Sequence, residues 1–279
     1  MLPSERRRQD EIARREADGE SLWTTAFERR ALVRIGEVWR RIARDVDVYA
    51  SVGFSERVAT ILRLNGGWEF HQFGADSLVS SSDEVILDAL AAASALMHGS
   101  PFPDRDLGGL FDTAVNNVMR EHRIAYKFVD GELIPFESDE LLQAAIEPAL
   151  RLMAGPQFKS AHDAYLNALR EISNGEPGDA ITDAGTALQE ALTALGCEGD
   201  VLSALIGDAK VKGLFKSHDA QLHEAMILVT KWAASERNKN SDAHKHPDAS
   251  LADAWLMVHV VGALIVRLAD PALRGEPTE

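Results

Sequence analysis

Residues 158–195 read FKSAHDAYLNALREISNGEPGDAITDAGTALQEALTAL. Two runs, 157–173 and 178–196, have helical character, and NGEPG between them collects the residues that break helices. A connection that short makes consecutive helices antiparallel neighbours. In the second run Ile181, Leu188, Leu192 and Leu195 recur at helical spacing and form a core stripe, while Asp183, Thr186, Glu190 and Thr193 share the opposite, polar face.

The same pattern continues downstream. GCEG at 196–199 leads into a short helix at about 199–206, and longer helices are expected at 217–238 and 248–269. In the first of these Leu222, Met226, Val229 and Ala233 mark one face. Four or five helices with short connections imply a compact bundle.

Upstream, Ser138-Asp139 caps a helix running to about Met153, which Gly155-Pro156 breaks. IAYKFVDGELIPF at 124–136 has short β-prone runs on either side of Asp130-Gly131, the strongest local hairpin signal. Helices are expected at 4–17, 24–48, 82–97 and 106–122, whereas 52–73 has no clear period. The expectation is a mainly α chain of two domains. Residues 1–155 form a mostly helical domain with a hairpin near 124–136, and 156–279 form an all-α bundle.

Composition bounds the class. Of 279 residues 46% are hydrophobic and 26% charged, as in ordinary globular proteins. Cys197 is the one cysteine, so no intrachain disulfide forms and a reducing compartment is the natural home. The first residues, MLPSERRRQDEIARRE, have no apolar h-region, so a cytoplasmic protein is expected. The apolar run at 254–266 is too short for a bilayer and carries His259, so it reads as a buried helix and no membrane partner is expected.

A net charge of −15 opposes avid, non-specific nucleic-acid binding. Residues 1–50 depart from it, with eleven Arg against ten Asp or Glu. RRALVRIGEVWRRIAR at 29–44 reads as a solvated helix face, with Leu32, Ile35, Val38, Trp39 and Ile42 turned inward, in preference to a surface for an acidic partner.

The polar stretch ERNKNSDAHKHP at 236–247 interrupts the apolar C-terminal helices. The face of Leu222, Met226, Val229 and Ala233, continued, arrives at Arg237. Asn238, Asn240, Ser241 and Asp242 are weak helix formers, so the helix is expected to stop there and His244 to lie in a loop. The next helix starts after Pro247, with Asp248 or Ser250 as cap. In a continuous helix Arg237 and His244 would be two turns, roughly 10 Å, apart. A broken one lets them converge. A guanidinium holds phosphate oxygens in a bidentate fork, and an imidazole passes protons near neutral pH. That pair suits a phosphodiester, and needs no metal where the substrate carries its own nucleophile.

Arg237-Asn238 followed by His244 is similar to the signature of HEPN domains, and RNKNSDAHK resembles abortive-infection proteins of the AbiJ or Abi C-terminal type. Residues 120–195 look like the hairpin-plus-helices arrangement of that group, and the likeness extends over 106–269. The resemblance implies a metal-independent endoribonuclease, a homodimer with a composite site, RNA as substrate and no cofactor. Arg237 would bind the scissile phosphate, His244 would act as base or acid, and Asn238 would orient the motif. Glu190 matches an acidic position of the family, where it either faces solvent or helps line the dimer cleft. Lys245 stands where a small residue is usual; it either helps bind RNA or marks a relaxed site. Any basic cleft is local, built from Arg237, Lys239, Lys245 and Lys231, with Asp242 beside them.

Two other readings remain. One is a non-catalytic dimerisation or nucleotide-binding module using the same cleft; the weaker is nucleotidyl transfer with a partner. His244 and His246 lack the further ligands zinc needs. His218 and His223 read as surface residues, and His259 as a satisfied core histidine. Trp232 and Trp255 read as packing residues, and Cys197 as inert.

Overall fold

The structure is a computed structural model that describes residues 3–18, 20, 22–47, 52–99, 105–215 and 249–269, with Gln221, Glu224, Ala225 and 227–229 besides. These residues form a mainly α-helical chain with one two-stranded antiparallel sheet, as the periodicity predicts. The chain divides into two compact units, Met1–Leu133 and Ile134–Glu279.

The first unit contains helices α1 (Pro3–Ala17), α2 (Arg29–Asp47), α3 (Phe54–Gly66), α4 (Ala75–Leu78), α5 (Asp83–His98) and α6 (Leu107–Glu121). On α2, Leu32, Ile35, Trp39 and Ile42 are buried, Val38 is half-buried and the six arginines are exposed. Trp39 centres an aromatic cluster, with Phe54 and Phe111 edge-on at 5.7 and 6.2 Å and Phe73 tilted at 6.3 Å. Edge-to-face pairs of this kind add to the burial of their area.

Two expectations shift here. Helix α2 begins at Arg29 because Thr24 is extended: its N–H donates to the Arg123 carbonyl and its carbonyl accepts from Ala125, both at 2.8 Å. Helix α3 fills a stretch without clear period. Its buried stripe is only Phe54, Val58, Ala59 and Leu62, and the exposed Leu64 masks it.

Strands β1 (Tyr126–Val129) and β2 (Glu132–Pro135) pair across Asp130 and Gly131, whose φ values of 49° and 88° suit a two-residue hairpin turn. The division between units falls within β2.

In the second unit follow α7 (Asp139–Leu141), a π turn (Leu142–Ile146), α8 (Glu147–Met153), a 3₁₀ turn (Pro156–Phe158), α9 (Lys159–Ser173), α10 (Pro177–Ala194), α11 (Leu202–Val211) and α12 (Leu251–Ala269). Helices α9 and α10 form the broadest contact, and α12 lies against α10, α9, α8 and the π turn. Alanines 180, 184, 187 and 191 are buried on α10 and allow close approach. Ile181, Leu188 and Leu192 are buried as the stripe predicts, while Leu195 is half-buried because the helix ends at Ala194.

The expected boundary at 155 lies some way downstream of the observed division. Gly155-Pro156 does break a helix, but Leu142, Ile146, Ala149, Leu150 and Met153 before it are buried and pack with α12 and α9. Helix α11 starts at Leu202 rather than 199, because Val201 is extended and the Glu198 N–H donates to Asp208.

Helix α12 corrects the expectation on length. It runs 19 residues with a mean hydropathy of 1.7, so by length and composition it is long and apolar enough to cross a membrane. Its Ala254, Met257, Val258, Val261, Ile265 and Leu268 are nonetheless buried within the unit.

Candidate functional site

Arg237, Asn238, Lys239, Asp242, His244 and Lys245 lie outside the described residues, as do Lys231, Leu222, Met226 and Ala233. Of the helical residues that precede them, Ile227 and Val229 are half-buried and Leu228 is exposed.

The downstream end of the segment is defined. Ser250 caps α12: the Asp253 N–H donates to Ser250 Oγ at 3.2 Å, and Ser250 N and Oγ donate to Asp253 Oδ2 at 2.9 and 2.7 Å. This reciprocal box satisfies backbone donors at the helix start. Those bonds hold the Asp253 carboxyl below its ordinary range.

Glu190 is half-buried on α10, on the helix that packs on α9, α11 and α12. Its polar neighbours are turned inward on their own helix. Thr182, Thr186 and Thr193 donate their hydroxyls to the carbonyls of Gly178, Thr182 and Gln189 at 3.0–3.1 Å. Asp183 and Glu190 are therefore the ionisable groups this face offers. Asp183 is half-buried, and burial pushes its carboxyl up, with Glu171 and Asp179 adding repulsion and Arg170 opposing.

His259 lies on α12 with Trp255 stacked on it at 5.5 Å between centroids. Burial pushes the imidazole down, against the opposing field of Glu137. Its Nε2 is buried with no hydrogen-bond partner among the described residues. Cys197 is buried, and burial and Asp208 push its thiol up, which lowers its thiolate fraction and reactivity. Among the described residues no group of three His, Cys, Asp or Glu is placed to hold a metal.

The first unit holds a polar cluster that the sequence did not disclose. Asp112 is buried on α6 and accepts from Ser94 of α5 at 2.6 Å through one oxygen, while His98 Nε2 lies 2.8 Å from the other. The serine donates to the carboxylate and not to the imidazole, so this is no nucleophile–base pair. It clasps α5 to α6. A second cluster surrounds the buried His122, whose Nδ1 meets Glu28 and whose Nε2 lies 3.3 Å from Arg34 Nη1. The one signal for either cluster is a polar residue inside an otherwise apolar helical run, as Ser94 is in DALAAASALM.

Comparison with models of known families, with curated proteins and with solved structures gave no match.

Proposed function

We propose that the chain is a metal-independent endoribonuclease of the HEPN type, acting in the cytoplasm as an antiphage, abortive-infection or toxin effector. The observation that carries this reading is Arg237-Asn238 followed after five intervening residues by His244, ahead of a capped C-terminal helix in a mainly helical unit. The motif supplies one fixed cation for a phosphate and one group that titrates near neutral pH.

In the proposed reaction the ribose 2′-hydroxyl attacks the adjacent phosphorus. One His244 takes the hydroxyl proton as the 2′-oxygen–phosphorus bond forms. The bond to the 5′-oxygen breaks, and that oxygen receives a proton from His244 of a second copy. Arg237 stabilises the charge on the non-bridging oxygens, and Asn238 orients the motif. The products are a cyclic phosphate and a 5′-hydroxyl end. Lys239 and Lys245 add local positive charge in a chain of net −15, while Asp242 and Glu190 border the cleft of a homodimer.

The test is cleavage of total RNA in EDTA with mapping of the ends. Arg237→Ala and His244→Ala are expected to abolish cleavage while leaving the helical content intact. Unchanged cleavage by both variants overturns the reading. Lys245, where a small residue is usual, together with the acidic charge, favours a second reading: a dimeric module that binds RNA or nucleotide in the same cleft without cutting. Binding without turnover, lost in the same variants, would select it.

A further inference from the structure

A cavity of about 430 Å³ opens in the first unit beside α1 and the end of α6. Arg8, Arg15 and Arg123 line it together with Trp23, Ile12 and the buried His122. Its volume falls in the range of small-molecule sites, and its lining combines cations with a flat aromatic surface.

The balance of charge favours an anion. Glu11 is the one carboxylate in the lining, and Arg14 holds it at 2.7 Å from outside the cavity. Arg8 and Arg15 reach Glu28 and Glu20, which do not line the cavity. Arg123 Nη1 donates to the Arg120 carbonyl at 2.7 Å, and the lining holds three arginines against one carboxylate in a chain whose net charge is −15.

Arg123 carries a second and independent sign. It follows α6 with φ of 55°, in the left-handed region that a helix usually ends on with glycine. The surrounding bonds are those of a helix-terminating turn: the Ile124 N–H donates to Met119 and the Arg123 N–H to Arg120. Glycine would serve this backbone better, yet an arginine stands here with its guanidinium 5.4 Å from the centre of the Trp23 ring. Observed backbone strain of this kind points towards a functional side chain. Guanidinium and indole planes are the surfaces on which nucleobases stack, and guanidiniums are the groups that fork onto phosphate.

We infer that this cavity binds a nucleotide, its phosphate held by Arg8, Arg15 and Arg123 and its base stacked against Trp23 and the Arg123 guanidinium. The site is in the first unit and does not depend on RNA cleavage by the second. The nucleotide is either free or the 5′-phosphorylated end of a strand, since both present the same groups.

Calorimetry on the full chain tests this with AMP, adenosine, inorganic phosphate and a 5′-phosphorylated DNA tetranucleotide, which has no 2′-hydroxyl to cleave. Saturable binding of AMP or of the tetranucleotide, with adenosine and phosphate each weaker, is the expected result. The tighter of the two identifies the source. Arg123→Gly is the informative variant: it should melt no lower than the wild type and bind about ten- to a hundredfold more weakly. Arg15→Gln, on the exposed side of α1, should weaken binding in the same direction. Absence of saturable binding by AMP and by the tetranucleotide overturns the inference, as does wild-type affinity in both variants.

Discussion

The Tyr165 hydroxyl occupies the space that a side chain at position 262 would need. Tyr165 Oη donates to the Val258 carbonyl at 2.9 Å, one helical turn before Gly262 on α12. A methyl group on Gly262 would overlap that hydroxyl and sit 3.1 Å from the Ala145 carbonyl oxygen. The phenol is fully buried, and burial pushes its ionisation upwards, so it serves as a donor at all ordinary pH.

Gly262→Ala is therefore expected to destabilise the protein by about 1–3 kcal/mol through overpacking. Tyr165→Phe alone should cost about 1 kcal/mol for the lost hydrogen bond. In the double variant the two costs should sum to less than their separate values, because removing the hydroxyl makes room for the methyl. Denaturant unfolding of the four proteins measures the coupling. Strict additivity would show that the hydroxyl does not set the requirement for glycine.

The cap at the end of the polar segment has its own signature. Ser250→Ala removes the hydroxyl that accepts from Asp253 N and should cost about 1 kcal/mol of stability. With Asp253 held below its ordinary range, the stability due to this carboxylate is present above its unfolded pKa and lost as pH falls through the folded value. Melting curves of the wild type and Asp253→Asn should accordingly converge in acid.

His259 makes the opposite kind of demand on pH. Its imidazole is pushed down from its ordinary value of about 6.5, so the unfolded chain takes up the proton before the folded one does. Stability should be flat above that value and fall as pH drops below it. His259→Gln should remove this slope. An identical acid slope in both proteins would trace the loss to other groups.

Asp183 reverses the sign for a carboxylate. Its folded pKa is raised, so its unfavourable contribution appears as pH rises through the carboxylate range. Asp183→Asn should raise the melting temperature at neutral pH and leave it unchanged in strong acid. A lower melting temperature at neutral pH would mean that the charged form has a partner which outweighs Glu171 and Asp179.

The extent to which sequence disclosed the fold follows from how local each signal is. The long helices were legible because Leu32, Ile35, Trp39 and Ile42, or Ile181, Leu188 and Leu192, repeat within one element. The hairpin was legible from Asp130-Gly131 alone. Helix α3 was not, because its short buried stripe competes with the exposed Leu64. The unit division was misplaced because Gly155-Pro156 marks a local break, while the partner that gathers 142–153 into the second unit is α12, a hundred residues on. The contact of Asp112 with His98 and Ser94 was illegible for the same reason: only tertiary packing brings these helices together. Of the candidate site, the flanks could be compared. Glu190 is half-buried on the expected helix, and of the two proposed caps Ser250 is seen in that role.

The π turn at Leu142–Ile146 has a consequence for how this chain tolerates change in length. Such a turn is a helix that has absorbed one extra residue, and one residue corresponds to about 100° of rotation. The turn takes up that rotation within itself, so Ala149, Leu150 and Met153 after it keep the phase of a continuous helix. Deleting Ala144 would therefore straighten the turn into regular α-helix and leave Leu150 and Met153 facing the core. The irregular turn is thus a place where the chain can lose one residue without turning the helix that follows.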